Sequence, residues 1–134
     1  LQASKIFGFR LNLAAPKEIL FANQSLLDRY QSENIKIFED PYEAIDQADC
    51  VMTDVWLSMG ESQNNDKINL MKNYQINEEL MKNASKDSIF MHCLPAHRNK
   101  EVTNFVIDGK KSIVWQQAQN KMYVLQSIIN YCIT

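Results

Sequence analysis

Five short apolar runs rich in β-branched residues, separated by amphipathic stretches, constrain the fold of this chain more than any other feature. They lie at residues 9–15, 35–39, 50–56, 88–94 and 112–115. Runs of that length are too short for buried helices, and their alternation with helical patterns is that of a parallel sheet covered by helices. The expectation is an α/β fold, an open parallel sheet with helices on both faces, forming a single domain over residues 1–134. Several helix ends can be read directly. Asp40 ahead of Pro41 is an N-cap followed by proline at the first helical position, and predicts a helix to about Ala48. Asn77 ahead of Glu78 and Glu79 opens another to about Ala84, with the acids at the positive end of the helix dipole. Gly8 is a C-cap for a helix ending at Phe7. The stretch 117–132 places Met122, Leu125, Ile128, Ile129 and Cys132 on one helical face, which predicts packing on the sheet or on a neighbouring domain.

In an open α/β sheet each helix connects two strands, yet no strand precedes the helix that ends at Phe7. The chain also opens on Leu1 rather than Met. Both observations predict a piece of a longer protein whose first strand lies ahead of Leu1.

Composition narrows the class of function. With 14 Lys and Arg against 16 Asp and Glu, a net charge of -2, the chain has no basic stripe for a phosphate backbone, and nucleic acid is not expected as a partner. No apolar run is long enough to span a membrane and no signal-peptide layout opens the chain, so the expected location is the cytoplasm. Cys50, Cys93 and Cys132 are odd in number and widely spaced, which predicts reduced thiols and neither a disulfide framework nor a zinc site.

Two segments carry candidate chemistry. Thr53-Asp54-Val55-Trp56-Leu57-Ser58-Met59-Gly60 starts where a strand should end, and ligands of open α/β sheets bind beyond the carboxyl ends of strands. The Asp54 carboxylate can pair with an ammonium group there, while backbone N–H groups around Ser58 and Met59 can receive a carboxylate. Together they suit the head group of an α-amino acid. Asp54 as a plain cap of the following helix stands beside that reading. The second segment, Phe90-Met91-His92-Cys93-Leu94-Pro95-Ala96-His97-Arg98, also closes a strand. Its alternation sends His92 and Cys93 to opposite faces, which argues against a Cys-His nucleophilic dyad. His92 itself reads either as a hydrogen-bonded interior residue or as a catalytic one. Pro95 ends the pairing and fixes the exit of the chain, holding the Cys93 and Leu94 backbone.

D-V-W-L-S-M-G from Asp54, M-H-C-L-P-A-H-R from Met91, E-V-T from Glu101 and V-I-D-G from Val106 resemble the ornithine carbamoyltransferases. The stretches P-Y-E-A-I-D-Q-A-D, Y-Q-I-N-E-E-L-M and S-I-V-W-Q-Q-A-Q-N-K follow in that family's order, so the likeness runs from about Ser4 to about Leu125. The resemblance implies a Rossmann-like ornithine-binding domain that serves transfer of a carbamoyl group from carbamoyl phosphate to L-ornithine, giving citrulline and phosphate, with no metal or organic cofactor. It implies that Asp54 holds the ornithine ammonium group, Ser58 and Met59 its carboxylate end, and that Cys93 lies by the reacting amine. Cys93 and Leu94 would contact the carbamoyl group through their backbone, and Lys121 would reach carbamoyl phosphate. Cys93 and Asp54 would be the pair that handles the proton of the amine. The S-M-G element separates the ornithine enzymes from relatives acting on putrescine or aspartate.

The same resemblance sets expectations beyond the chain. The phosphate-binding S-T-R-T and H-P-x-Q segments belong to an amino-terminal domain and do not occur in this sequence. The strand ahead of Leu1 would be central in the sheet, between the runs at 9–15 and 50–56, and the complete enzyme would be a homotrimer. Lys121 stands where the family usually has arginine, Gln119 where it has an acid, and Asn99 where it has glycine. Lysine lacks the planar fork that grips two oxygens, which predicts weaker carbamoyl phosphate binding. Asn tolerates left-handed backbone, so position 99 is less affected. An inactive paralogue or truncated remnant that keeps the amino-acid-binding fold is the competing expectation.

Overall fold

The structure is a computed structural model, and it describes residues 1–57 and 65–133. Helix α1 (Gln2–Phe7) ends at Gly8, whose left-handed φ of 72° lets its N–H return to the Ser4 carbonyl at 2.8 Å. A side chain at that φ would be strained, which is why glycine closes the helix. Strand β1 (Leu11–Ala14) follows, then α2 (Lys17–Ala22), α3 (Gln24–Arg29), β2 (Ile35–Phe38), α4 (Pro41–Ile45) and β3 (Cys50–Thr53). After the undescribed segment come α5 (Asn65–Met71), a 3-10 turn (Lys72–Tyr74), α6 (Glu78–Met81), β4 (Ile89–His92), α7 (Asn104–Ile107) and α8 (Val114–Ile133).

Among the described residues all strand pairing is parallel, as the alternating sequence pattern predicts. β1 pairs with β2 from Leu11 opposite Ile35 to Ala14 opposite Phe38, and β3 pairs with β4 from Cys50 opposite Ile89 to Thr53 opposite His92. Among the described residues the strands form these two pairs rather than one continuous sheet. The resemblance to the ornithine carbamoyltransferases implies a further strand between β1 and β3, and no pairing joins those two strands here. The run expected at 112–115 is reduced to one bridge, Ser112 beside Phe90. The Phe90 N–H donates to Lys111 and the Phe90 carbonyl accepts from Ile113, whose own carbonyl then takes the Gln117 N–H and starts α8. Trp115 is therefore helical, because the first α8 hydrogen bond captures the chain before a second ladder step forms.

The caps read from the sequence are present. Asp40 Oδ1 accepts from the Tyr42 N–H at 2.8 Å, and Asn77 Oδ1 accepts from the Leu80 N–H at 2.9 Å. Both helices stop short of the expected ends, at Ile45 and Met81, and their following turns lock together through the Gln47 N–H to the Asn83 carbonyl. Asn77→Ala leaves one N–H of the first α6 turn unsatisfied and is expected to cost about 1 kcal/mol. Chemical denaturation should show it as a lower midpoint with an unchanged slope.

The core is asymmetric. Ile45, Val51, Ile76, Leu80, Met81, Ala84, Phe90, Val102, Val106, Ile107 and Val114 form one buried cluster around β3, β4, α6 and α7. Around β1 and β2, by contrast, the strand residues are at most half-buried, and the buried apolar side chains come from the helices, Leu27 of α3 and Ala44 of α4, the helix against both strands. Helix α8 does not take the sheet as the partner of its apolar face. Its apolar face at Met122, Leu125, Ile128 and Ile129 stays half-exposed, at 50, 58, 53 and 51 %, and Cys132 is exposed, so this face is not packed on the described sheet. The amphipathic spacing identified the helix correctly, and of the two partners expected for it the sheet is excluded among the described residues, which leaves a neighbouring domain as the expected cover. No helix among the described residues is long and apolar enough to cross a membrane.

Candidate active site

Parallel register builds the site. Thr53 lies opposite His92, so the next residues along each strand, Asp54 and Cys93, emerge side by side from the carboxyl ends of β3 and β4. The Cys93 thiol donates to Asp54 Oδ1 at 2.9 Å, and the Val55 N–H donates to the same oxygen at 2.7 Å. The thiol hydrogen bond is the largest influence on Asp54 and holds its carboxyl below the ordinary value, against a smaller opposing effect of burial. The converse holds for Cys93, whose thiol is pushed up by burial first and by Asp54 second. At neutral pH the pair is thus carboxylate and thiol. A thiol kept protonated is a poor nucleophile, so Cys93 serves as a hydrogen-bond donor next to a negative charge.

Lys121, about two turns into α8, completes the cluster by donating through Nζ to the Cys93 carbonyl. Its charge also contributes to the lowering of Asp54. Leu94 follows with φ of 53°, a left-handed conformation uncommon for a branched aliphatic residue, and the Leu94–Pro95 peptide is cis. Asn99 has φ of 62°, in keeping with the tolerance of Asn for this region. Asp54, Cys93, Leu94 and Lys121 are therefore brought together. Ser58 and Met59 lie outside the described residues.

His92 is fully buried while Cys93 is half-buried, and although a His92 ring nitrogen lies within 4.8 Å of the thiol, the thiol donates to Asp54 and the two do not form a dyad. His92 Nδ1 instead accepts the Leu94 N–H at 2.9 Å, and the His92 N–H donates to Gln117 Oε1 at 3.0 Å. Glu101, also fully buried, stands behind the ring with Oε1 3.5 Å from His92 Nε2. The roles of Glu101 and Gln117 were not legible in the sequence; a charged residue eight or nine positions past a strand end carries no signal until the intervening turn is known. Arg98 of the same motif is turned away from the cluster and grips Asp108 with both guanidinium arms, closing the loop onto α7.

Donor atoms of Asp54, His92 and Cys93 lie within 4.8 Å of one another, a grouping that could attract a cation. They are already engaged, however, the thiol on Asp54 and His92 Nδ1 on the Leu94 N–H. What the arrangement offers is one carboxylate for an ammonium group, a neutral thiol beside it, and backbone carbonyls at Cys93 and Leu94.

Fold and site are those of an α/β domain with its polar cluster at the carboxyl ends of parallel strands, the place where open α/β sheets hold ligands. The model of the Asp/Orn binding domain of the aspartate/ornithine carbamoyltransferases matches residues 1–132, and the chain belongs to that family. An ornithine carbamoyltransferase from Nitrobacter winogradskyi is 44% identical over 133 residues, covering 98% of this chain and 43% of the relative. One from Rhodopseudomonas palustris is 45% identical, with the same coverage. The chain thus spans less than half the length of these curated relatives. Among solved structures, ornithine carbamoyltransferase from Burkholderia thailandensis superposes with a TM-score of 0.83 at 37% identity, over 97% of this chain and 41% of the other. That from Pyrococcus furiosus gives 0.74 at 36% identity, over 90% and 41%.

Proposed function

We propose that this chain is the ornithine-binding domain of an ornithine carbamoyltransferase, transferring the carbamoyl group of carbamoyl phosphate to the δ-amino group of L-ornithine. The observation that carries the reading is the Cys93 thiol on Asp54 with Lys121 beside them at the ends of two parallel strands. Asp54 stays ionised and so receives the ornithine ammonium group. The neutral thiol supplies a donor without adding a second negative charge next to the amine. The δ-amine must lose a proton before it attacks the carbamoyl carbon, and Asp54 with Cys93 is the local pair for that transfer. A C–N bond then forms, the C–O bond to phosphate breaks with its electron pair leaving on phosphate, and the second amine proton is taken up by that phosphate. Carbonyls of Cys93 and Leu94 accept from the carbamoyl NH2. Lys121 supplies positive charge where the oxyanion develops. Ser58 and Met59 take the ornithine carboxylate.

The phosphate is held in this reading by an amino-terminal domain bearing the S-T-R-T and H-P-x-Q segments, within a cytoplasmic homotrimer. The test is to produce this chain together with the amino-terminal segment of the Nitrobacter relative and to measure product from ornithine, aspartate and putrescine. Citrulline from ornithine, with the other amines inert, is expected. Turnover of aspartate or putrescine in preference to ornithine would overturn the assignment.

An inactive paralogue is the second reading, favoured by the Lys121 ammonium being spent on the Cys93 carbonyl. Lys121→Arg distinguishes them. The added fork should gain one charge-assisted contact of about 1 kcal/mol and tighten carbamoyl phosphate binding roughly fivefold in calorimetry. Unchanged affinity would show that position 121 does not touch that substrate.

A further inference from the structure

Leu94 requires an explanation, because its left-handed φ of 53° is unfavourable for a branched aliphatic side chain. Such a conformation persists only when its surroundings determine it. The contact on its N–H is His92 Nδ1, which accepts it at 2.9 Å across a span of two residues. A ring nitrogen that accepts a backbone N–H carries no proton, so the ring proton resides on Nε2. That nitrogen faces Glu101 Oε1 at 3.5 Å, inside a region where both side chains are fully buried. Glu101 is itself fixed, accepting the His97 N–H, while the Asn99 N–H to the Val102 carbonyl at 2.7 Å closes the turn that returns it beneath the strand end. On the other side the His92 N–H is tied to Gln117 of α8, the helix that carries Lys121. Neither His92 nor Glu101 reaches the open side of the cluster.

We propose that His92 and Glu101 are a positioning pair: the Glu101 carboxylate keeps the His92 proton on Nε2, and the free Nδ1 holds Leu94 in its left-handed conformation so that its carbonyl faces the carbamoyl group. This rests on the proposed function for the identity of the ligand, but the geometry it explains is independent of turnover. A buried carboxylate near Nε2 favours the tautomer with the proton there. Without it, a proton on Nδ1 would oppose the Leu94 N–H, donor against donor, and the residue would relax toward ordinary φ. The carbonyl would then turn away from the strand end.

Two substitutions of the same residue separate positioning from packing. In His92→Asn, Oδ1 falls close to where Nδ1 stands and can still accept the Leu94 N–H. In His92→Gln the amide reaches toward the Nε2 position and leaves the Leu94 N–H without its acceptor. In the chain joined by its amino-terminal segment, His92→Gln should raise the KM for carbamoyl phosphate about tenfold, the equivalent of one hydrogen bond, with the KM for ornithine unchanged. His92→Asn should restore it to within about threefold of the parent. Glu101→Gln should move the same constant in the same direction, and serves if His92→Gln does not fold. Equal losses in His92→Asn and His92→Gln, or a fall in kcat with both KM values unchanged, would overturn the positioning role. Crystal structures of the variants read the Leu94 φ directly: retention of 53° in His92→Gln would overturn the proposal even if ornithine proves not to be the substrate, and failure of the parent to make citrulline would sink the functional reading alone.

Discussion

Asp54→Asn, in the chain joined by its amino-terminal segment, should lower kcat/KM for ornithine by about 10- to 150-fold, the loss of one charge-assisted contact of about 1.5 to 3 kcal/mol. The amide keeps the shape of the side chain and an oxygen for the Val55 N–H and the Cys93 thiol, but not the charge that an ammonium group requires. Stability should hardly change, because the group is exposed and substitutions at such positions are usually within about 0.5 kcal/mol. The sign of the pH effect follows from the lowered carboxyl. Its contribution to stability is present above the unfolded carboxyl value and is lost as pH falls through the lower folded value, so the parent and the variant should converge in strong acid. Steady-state kinetics with wild-type constants for the variant would remove Asp54 from the ornithine site.

The chain by itself should form no citrulline, at least about 10⁵-fold below the joined protein, because positioning of the donor accounts for effective molarities of about 10⁵ M or more. The segments proposed to hold the phosphate do not occur in this sequence. Alone it should also associate. β1 and β3 each pair on one side with β2 and β4, and a parallel strand with a free edge recruits another chain. Size exclusion should show a broad, early peak that sharpens when the amino-terminal segment is supplied. A sharp monomeric peak with cooperative unfolding, or citrulline from the chain alone, would end the proposed division of labour.

How much of this was legible in the sequence depended on whether a local rule governed the residue. Gly8, Asp40 with Pro41, and Asn77 mark helix ends through contacts spanning a few residues, and all three act as read. Helices α2 and α3 carry no such marks: neither Pro16 nor Asn23 caps with its side chain, and Phe21 and Leu26 are exposed, so no apolar stripe stands out. Asp54 and Cys93 could be placed together because both follow strands whose ends are visible as apolar runs. The service of His92 to Leu94 could not, since it depends on the left-handed turn and on Glu101 returning through the Asn99 loop. Likewise the α8 pattern shows which face is apolar, whereas what covers that face is decided by groups beyond its own periodicity.

The uneven core has a consequence for when the site exists. Proteins open in cooperative parts, and those with few buried contacts open at lower free energy than those that share the main core. β3, β4 and the first turn of α8 are anchored by Phe90, Val51 and Val114, whereas β1 and β2 rest on half-buried strands, Leu27 and Ala44. Excursions that release β1 and β2 would leave Asp54 and Cys93 standing on the part that unfolds last. Amide protons of β1 and β2 would then exchange with solvent through brief openings, while those at Phe90 and Ile113 would wait for global unfolding, and the proximity of Asp54 to Cys93 would outlast the order of the flanking strands.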